Sequence, residues 1–231
     1  MHILAIDSSG GAVGAAIADE QGLTGQLELA AGRQASQTLL PLTQNLLDLC
    51  NLSLAEMDAL AVTAGPGSFT GLRIGLATVK AWAQALAKPL VAVSTLQALA
   101  YGAYERGFLI CPILNARRGQ LFAALFKEGR RLLDDLLLTP KQLARRLDEW
   151  PEPVIFCGEG LAEAQAQLAA LLGSRMLLAP PSRHCFLAGS AALVGRQLYL
   201  SRQLADASTL EPAYLRPAAA EEQRREAQKN G

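Results

Sequence analysis

One order of local patterns occurs twice along the chain, and it restricts the fold more than any single motif does. Ile3 to Ile6, Ala12 to Ala18 and Leu23 to Leu29 read as short β segments, separated by the turn sequences Ser8-Ser9-Gly10-Gly11 and Asp19-Glu20-Gln21-Gly22. Ser36 to Cys50 then repeats leucines at helical spacing, with Pro41 tolerable only near the first turn. A strand over Ala59 to Ala64, a helix over Leu72 to Ala87, a strand over Pro89 to Val93 and a helix capped by Ser94 complete the first series. The second series runs through strands Leu109 to Leu114, Gln120 to Phe126 and Arg131 to Leu138 and a helix opened by Thr139 and Pro140. It ends with strand Val154 to Cys157, helix Leu161 to Leu172, strand Arg175 to Leu178 and helix Cys185 to Ser201. A repeat of half the chain predicts a duplicated α/β protein with two lobes, residues 1–106 and 107–215, around a cleft able to hold a ligand. Residues 216–231, rich in Ala, Glu, Gln and Arg, read as a disordered tail.

Composition narrows the function. With 231 residues, 51% hydrophobic and only 5% aromatic, the chain has ample core material and favours helix-rich α/β packing of small side chains. Its 21 cations balance 21 anions, which excludes disorder and a strongly basic nucleic-acid module. The charge is nevertheless uneven: Met1 to Leu72 carries Arg33 alone against seven acids, and Asn115 to Arg146 carries eight cations against three acids. That basic segment reads as a solvated face or as an RNA contact, and it lacks the interleaved aromatics of a stacking platform. The apolar opening is interrupted at Asp7, and Pro89 to Tyr104 is too short and polar to span a bilayer, so a cytoplasmic protein without membrane attachment is expected. Cys50, Cys111, Cys157 and Cys185 lack C-x-x-C spacing and read as small buried hydrophobes.

Two segments can carry chemistry. Asp7, Ser8, Ser9 and Gly10 follow the first strand, where a Ser/Gly turn offers backbone N–H groups to phosphate oxygens and Asp7 could hold a hydrated Mg²⁺; an ordinary hairpin is the alternative. Gly65, Gly67, Ser68, Thr70, Gly71 and Arg73 belong to a glycine-rich loop between a buried strand and a long helix. It is suited to close approach of a ligand or of another backbone. No Lys-Ser or Lys-Thr pair follows its last glycine, so it is not a Walker A loop.

Asp7-Ser8-Ser9, the run from Gly65 to Gly75, Val93-Ser94-Thr95-Leu96, Asn115-Ala116-Arg117-Arg118-Gly119 and Glu211-Pro212-Ala213-Tyr214-Leu215-Arg216 together resemble the bacterial TsaB family, also called YeaZ. The resemblance runs in order along nearly the whole chain. It implies the duplicated actin-like, sugar-kinase and heat-shock ATPase fold, which is ribonuclease H-like in each lobe. It also implies a part in forming N6-threonylcarbamoyladenosine (t6A) at position 37 of tRNA. In that family the subunit is not the transferase. It pairs with and activates the metal-binding TsaD subunit, is joined by the ATPase TsaE, and meets tRNA indirectly through the complex.

Departures from catalytic relatives sharpen this. Gly32 to Pro41, where TsaD-type proteins carry paired metal-binding histidines, contains none, and His2 and His184 are too few and too far apart for a site, so no metal and no catalytic residues are expected. Asn115 stands where the second phosphate turn of active ATPases has an acid, removing a carboxylate for Mg²⁺ or water. Gly158 and Gly160 fall where such folds hold adenosine, although packing alone would explain them. The subunit would therefore need no cofactor of its own, with ATP or ADP possible in the complex. Leu39, Leu42 and Leu46 on one helix and Leu76 and Val79 on the next form apolar faces that invite a partner, or a second copy when the protein is alone; full burial in the chain's own core is the alternative. A stand-alone ATPase or kinase is the competing function. A metallopeptidase fails for lack of ligands.

Overall fold

The computed structural model describes residues 1–30, 34–181 and 187–215. The tail at 216–231, His184 and Cys185, the expected start of the last helix, lie outside the described residues. Strands β1 (Ile3–Asp7), β2 (Val13–Ala18), β3 (Leu23–Leu29), β4 (Ala59–Gly65) and β5 (Leu90–Ser94) form one sheet, in the order β3-β2-β1-β4-β5. Strands β6 (Leu109–Asn115), β7 (Leu121–Lys127), β8 (Arg130–Leu138), β9 (Val154–Cys157) and β10 (Met176–Leu178) form the second, in the order β10-β9-β6-β7-β8. Renumbered from its own first strand, the second sheet has the order of the first. In both, the first three strands pair antiparallel and the last two add in parallel.

Side-chain alternation decides what each face accepts. In the first sheet Leu4, Ile6, Val13, Ile17, Leu60 and Val62 point to one side, against α1 (Ala35–Leu49) and α2 (Phe69–Ala85). Ile3, Ala5, Ala16, Ala18, Ala59 and Ala61 point to the other, where α6 (Ala188–Leu200) lies with Ala188, Ala191, Ala192 and Val194. Alanines on both surfaces bring helix and sheet together so closely that a Cβ at Gly195 would sit 2.7 Å from that of Ala61. The second sheet is covered by α4 (Pro140–Arg146) and α5 (Leu161–Leu172) on one side and by α3 (Thr95–Gly102) on the other, through Leu96, Leu99 and Ala100.

Two helices pack across the boundary expected between residues 1–106 and 107–215. Helix α6 and the segment through Ala205, Ala207, Leu210 and Ala213 come from the second half but pack on the first lobe, where Ala205 N–H donates to the Leu90 carbonyl at 2.8 Å and Ala213 N–H to that of Ala64 at 2.7 Å. Helix α3, from the first half, packs mainly on β6 and β7 and also against α6. Each half thus lends its last helix to the other half's sheet.

Two helix readings also change. Pro41 lies in the second turn of α1, not the first. Helix α2 begins at Phe69, three residues earlier than expected, because the Ser68 hydroxyl accepts from Gly71 N–H at 3.3 Å and caps it. Ser94 and Thr139 cap α3 and α4 as the sequence predicts.

The expected partner face is overturned. Leu39, Leu42, Leu46, Leu76 and Val79 are at most 5% exposed and belong to the chain's own core. Leucine periodicity marks the buried side of a helix, and here the sheet claims it first. Val79→Glu and Leu46→Glu should therefore lower stability by roughly 3 kcal/mol or more, since each buries an unpaired carboxylate. Leu40→Glu, on the exposed side of α1, should change it by less than about 0.5 kcal/mol. Urea titration followed by circular dichroism checks the contrast.

Candidate functional site

The turn after β1 is built around a buried carboxylate. Asp7 Oδ1 accepts from Thr63 Oγ1 at 2.6 Å, Ser9 Oγ at 2.7 Å and Ser9 N–H at 3.1 Å. Burial pushes the Asp7 carboxyl above its ordinary range, and these three donors pull it part of the way back. Ser8 and Ser9 are buried as well.

The glycine-rich segment closes directly on this turn. Gly65 ends β4, a cis peptide joins it to Pro66, and Thr70, Gly71 and Arg73 already lie in α2, so only residues 66–68 connect strand and helix. Ser68 N–H donates to the Ser9 carbonyl at 2.7 Å, and Ser8 Oγ donates to the Gly71 carbonyl at 2.8 Å. A Cβ on Gly67 would collide with the Ser9 carbonyl and one on Gly71 with that of Ser8. Their role is close approach, and what approaches is backbone of the same chain. Thr70 and Arg73 stay exposed.

The second lobe contributes differently from expectation. Asn115 Nδ2 donates to Glu163 Oε1 at 2.6 Å, and Asn115 Oδ1 accepts from Arg117 N–H at 2.6 Å, so its side chain ties β6 to α5 and to its own loop. Gly158, at φ +103°, is packed against the Ile113 carbonyl, and Gly160 donates its N–H to that carbonyl at 3.1 Å. Both glycines thus follow the packing alternative.

Beside the carboxylate expected to be missing at Asn115, two acids at other positions feel Asp7: Glu159, between those glycines, and Glu28 on β3. The charge of Asp7 helps hold both carboxyls above their ordinary range, in each case after burial as the larger cause. Glu28 also accepts from Ala188 N–H at the start of α6 and from Gln26 Nε2, the latter at 2.6 Å. The signal for Glu159 is legible, an acid flanked by glycines after a strand. Glu28 gives none, because its approach to Asp7 depends on sheet pairing. Among the described residues no group of three or more His, Cys, Asp or Glu is arranged to hold a metal ion. Cys111 and Cys157 are buried thiols, the latter pushed up to about 12 by burial. No described helix is long and apolar enough to cross a membrane.

Two sheets of like topology, helices exchanged across a cleft and a Ser/Gly turn after the first strand define an actin-like α/β protein. The ROK hexokinase of Thermus thermophilus shares this fold at 11% identity, with a TM-score of 0.52 over 88% of this chain and 99% of that one. The family described as TsaD, tRNA N6-adenosine threonylcarbamoyltransferase, matches residues 28–223. YeaZ from Pseudomonas aeruginosa superposes with a TM-score of 0.74 at 27% identity, over 93% of this chain and 99% of that one. The tRNA threonylcarbamoyladenosine biosynthesis protein TsaB of Bacillus subtilis is 30% identical over 233 residues, 99% of this chain and 100% of its own length. The chain belongs to the TsaB (YeaZ) family.

The buried carboxylate sets a pH test. Because the folded-state pKa of Asp7 is raised, its contribution to stability is fully present below the ordinary carboxylate range and is lost as pH rises through the raised value. Asp7→Asn keeps an acceptor oxygen for the three donors and removes the charge. It should raise Tm by roughly 2–4 °C at pH 8, with the gap closing towards pH 4, as scanning calorimetry would record. A gap independent of pH would contradict this account.

Proposed function

We propose that this chain is a non-catalytic subunit for t6A formation on tRNA, pairing with a TsaD-type transferase and activating it. The observation that carries the reading is the state of the first phosphate turn. Asp7 spends its Oδ1 lone pairs on Ser9 and Thr63, and the glycine segment closes on Ser8 and Ser9 from the same chain. Glu28 and Glu159, both held above the ordinary carboxylate range in part by the charge of Asp7, place acids rather than cations beside the turn. A cleft of this kind favours a structural use of the fold. In this reading ATP or ADP binds only at a composite surface of the complex, a TsaE-type ATPase joins the pair, and tRNA is met through the assembly.

The family names of its relatives support the t6A assignment. The competing reading, a stand-alone ATPase or kinase, draws on Glu159 as a second acid. Reconstitution separates the two. TsaD-type and TsaE-type partners, threonylcarbamoyl-adenylate and tRNA should give modified tRNA only when this chain is added, while the chain alone with ATP and Mg²⁺ should hydrolyse no more than a boiled control. Undiminished product without the chain overturns the proposal, and steady turnover by the chain alone favours the enzyme.

The partner-facing surface moves to the outer sides of the same two helices. Gln37, Leu40 and Gln44 are exposed on α1, and Thr70, Ala77, Ala81 and Ala85 on α2. The alanines allow another helix to approach closely, and a second copy would use the same face when the subunit is alone. Ala81→Arg should weaken pairing at least about 100-fold by steric and charge conflict while leaving the circular dichroism spectrum of the monomer unchanged. Sedimentation of the mixed subunits reads the outcome.

A further inference from the structure

The two segments at residues 65–75 and 211–215, far apart in sequence, meet in a surface cluster that the proposed role leaves unused. The rings of Phe69 and Tyr214 stack with centroids 5.1 Å apart and planes 27° from parallel. The Arg73 guanidinium lies 4.0 Å over the Phe69 ring, and its Nε donates to the Tyr214 hydroxyl at 3.1 Å. The parts are anchored from below. Phe69 and Arg73 stand on the first two turns of the Ser68-capped α2, Ala213 N–H is bonded to the Ala64 carbonyl at 2.7 Å, and Lys80 Nζ donates to the Leu210 carbonyl at 2.9 Å. A Cβ at Gly65 would lie 2.9 Å from the Ala213 oxygen, so strand end and C-terminal segment are in backbone contact. Phe69 and Tyr214 nevertheless remain 38% exposed.

An arginine held this way has already given up its rotamer freedom, so a ligand need not supply that ordering cost. Its Nε is engaged with Tyr214, and among the described residues its terminal amines make no hydrogen bond. Two parallel donors on a fixed plane match a carboxylate. We infer that Arg73, braced by Phe69 and Tyr214, is a preformed clamp for an acidic side chain of the transferase subunit, an inference that rests on the pairing proposed above. Arg73 is exposed one turn before Ala77, so the clamp continues the outer face of α2. Tyrosine and arginine together in a fixed, partly exposed cluster are the composition of protein-binding hot spots. A phosphate backbone fits less well. Residues 1–72 carry one cation against seven acids and Glu211 stands three residues from Tyr214, whereas RNA binding needs several cations along a track.

The test is the salt dependence of affinity between the full chain and the purified transferase subunit, measured by calorimetry. Arg73→Gln should weaken pairing about tenfold at low salt and flatten the salt dependence, with Tm unchanged. Tyr214→Phe, which keeps the ring and loses the hydroxyl acceptor, should cost about threefold by loosening the guanidinium. Unchanged affinity and salt slope in Arg73→Gln overturn the clamp. So does loss of tRNA binding by that variant with pairing intact, which assigns the cluster to RNA. If Ala81→Arg abolishes pairing and Arg73→Gln does not affect it, the clamp alone is wrong. If the unaltered chain fails to pair at all, the proposed function falls and the clamp with it.

Discussion

Helix α6 rests on the first sheet through a contact built mostly from alanine and glycine, and much of the remaining architecture follows from it. Ala5, Ala16, Ala18, Ala59 and Ala61 present a nearly smooth surface, and Ala188, Ala191, Ala192 and Gly195 meet it. A larger side chain on either surface would force the helix outward and cost packing over all five strands. Because α6 comes from the second half of the chain and α3 from the first half packs on the second sheet, the two lobes are braced by an exchanged pair of helices.

The turn after β1 has the outline of a phosphate site and altered contacts. A turn after a first buried strand, followed by a glycine segment and a capped helix, is an arrangement that can cradle phosphate oxygens. Here the glycines bring Ser68 and Gly71 onto the serines of the turn, and the hydroxyls of Ser9 and Thr63 are directed at Asp7. Two further carboxylates share the field of Asp7. Positions that could serve a nucleotide are thereby committed to holding β1, β4 and α2 together.

How much of this was legible depended on whether the signal was local. Strand and helix order, the Ser94 and Thr139 caps and the duplication could all be read from alternation and turn chemistry, and helix Leu161–Leu172 was read to its ends. The start of α2 was missed because glycines at 67 and 71 suggested a loop, while the Ser68 cap and the close contact with Ser8 make a helical glycine favourable there. The leucine stripes on α1 and the apolar positions of α2 were visible as periodicity. Periodicity identifies a buried side without saying which molecule buries it. Glu159 was visible between its glycines, but its relation to Asp7 was not.

The sequence by itself determined the two-fold repeat of elements, the Asp7 turn, the glycine segment, and the family through motifs spread over nearly its full length. These are encoded by neighbours a few residues apart, where backbone preference and side-chain period are expressed directly. Only the tertiary structure decided which sheet receives α3 and α6, that Leu46 and Val79 face inward, that Glu28 and Glu159 share the field of Asp7, and that Tyr214 lies on Phe69 and Arg73. Each of these joins residues far apart in the chain, and such pairings are settled by which faces can be buried together, a competition that no local pattern records.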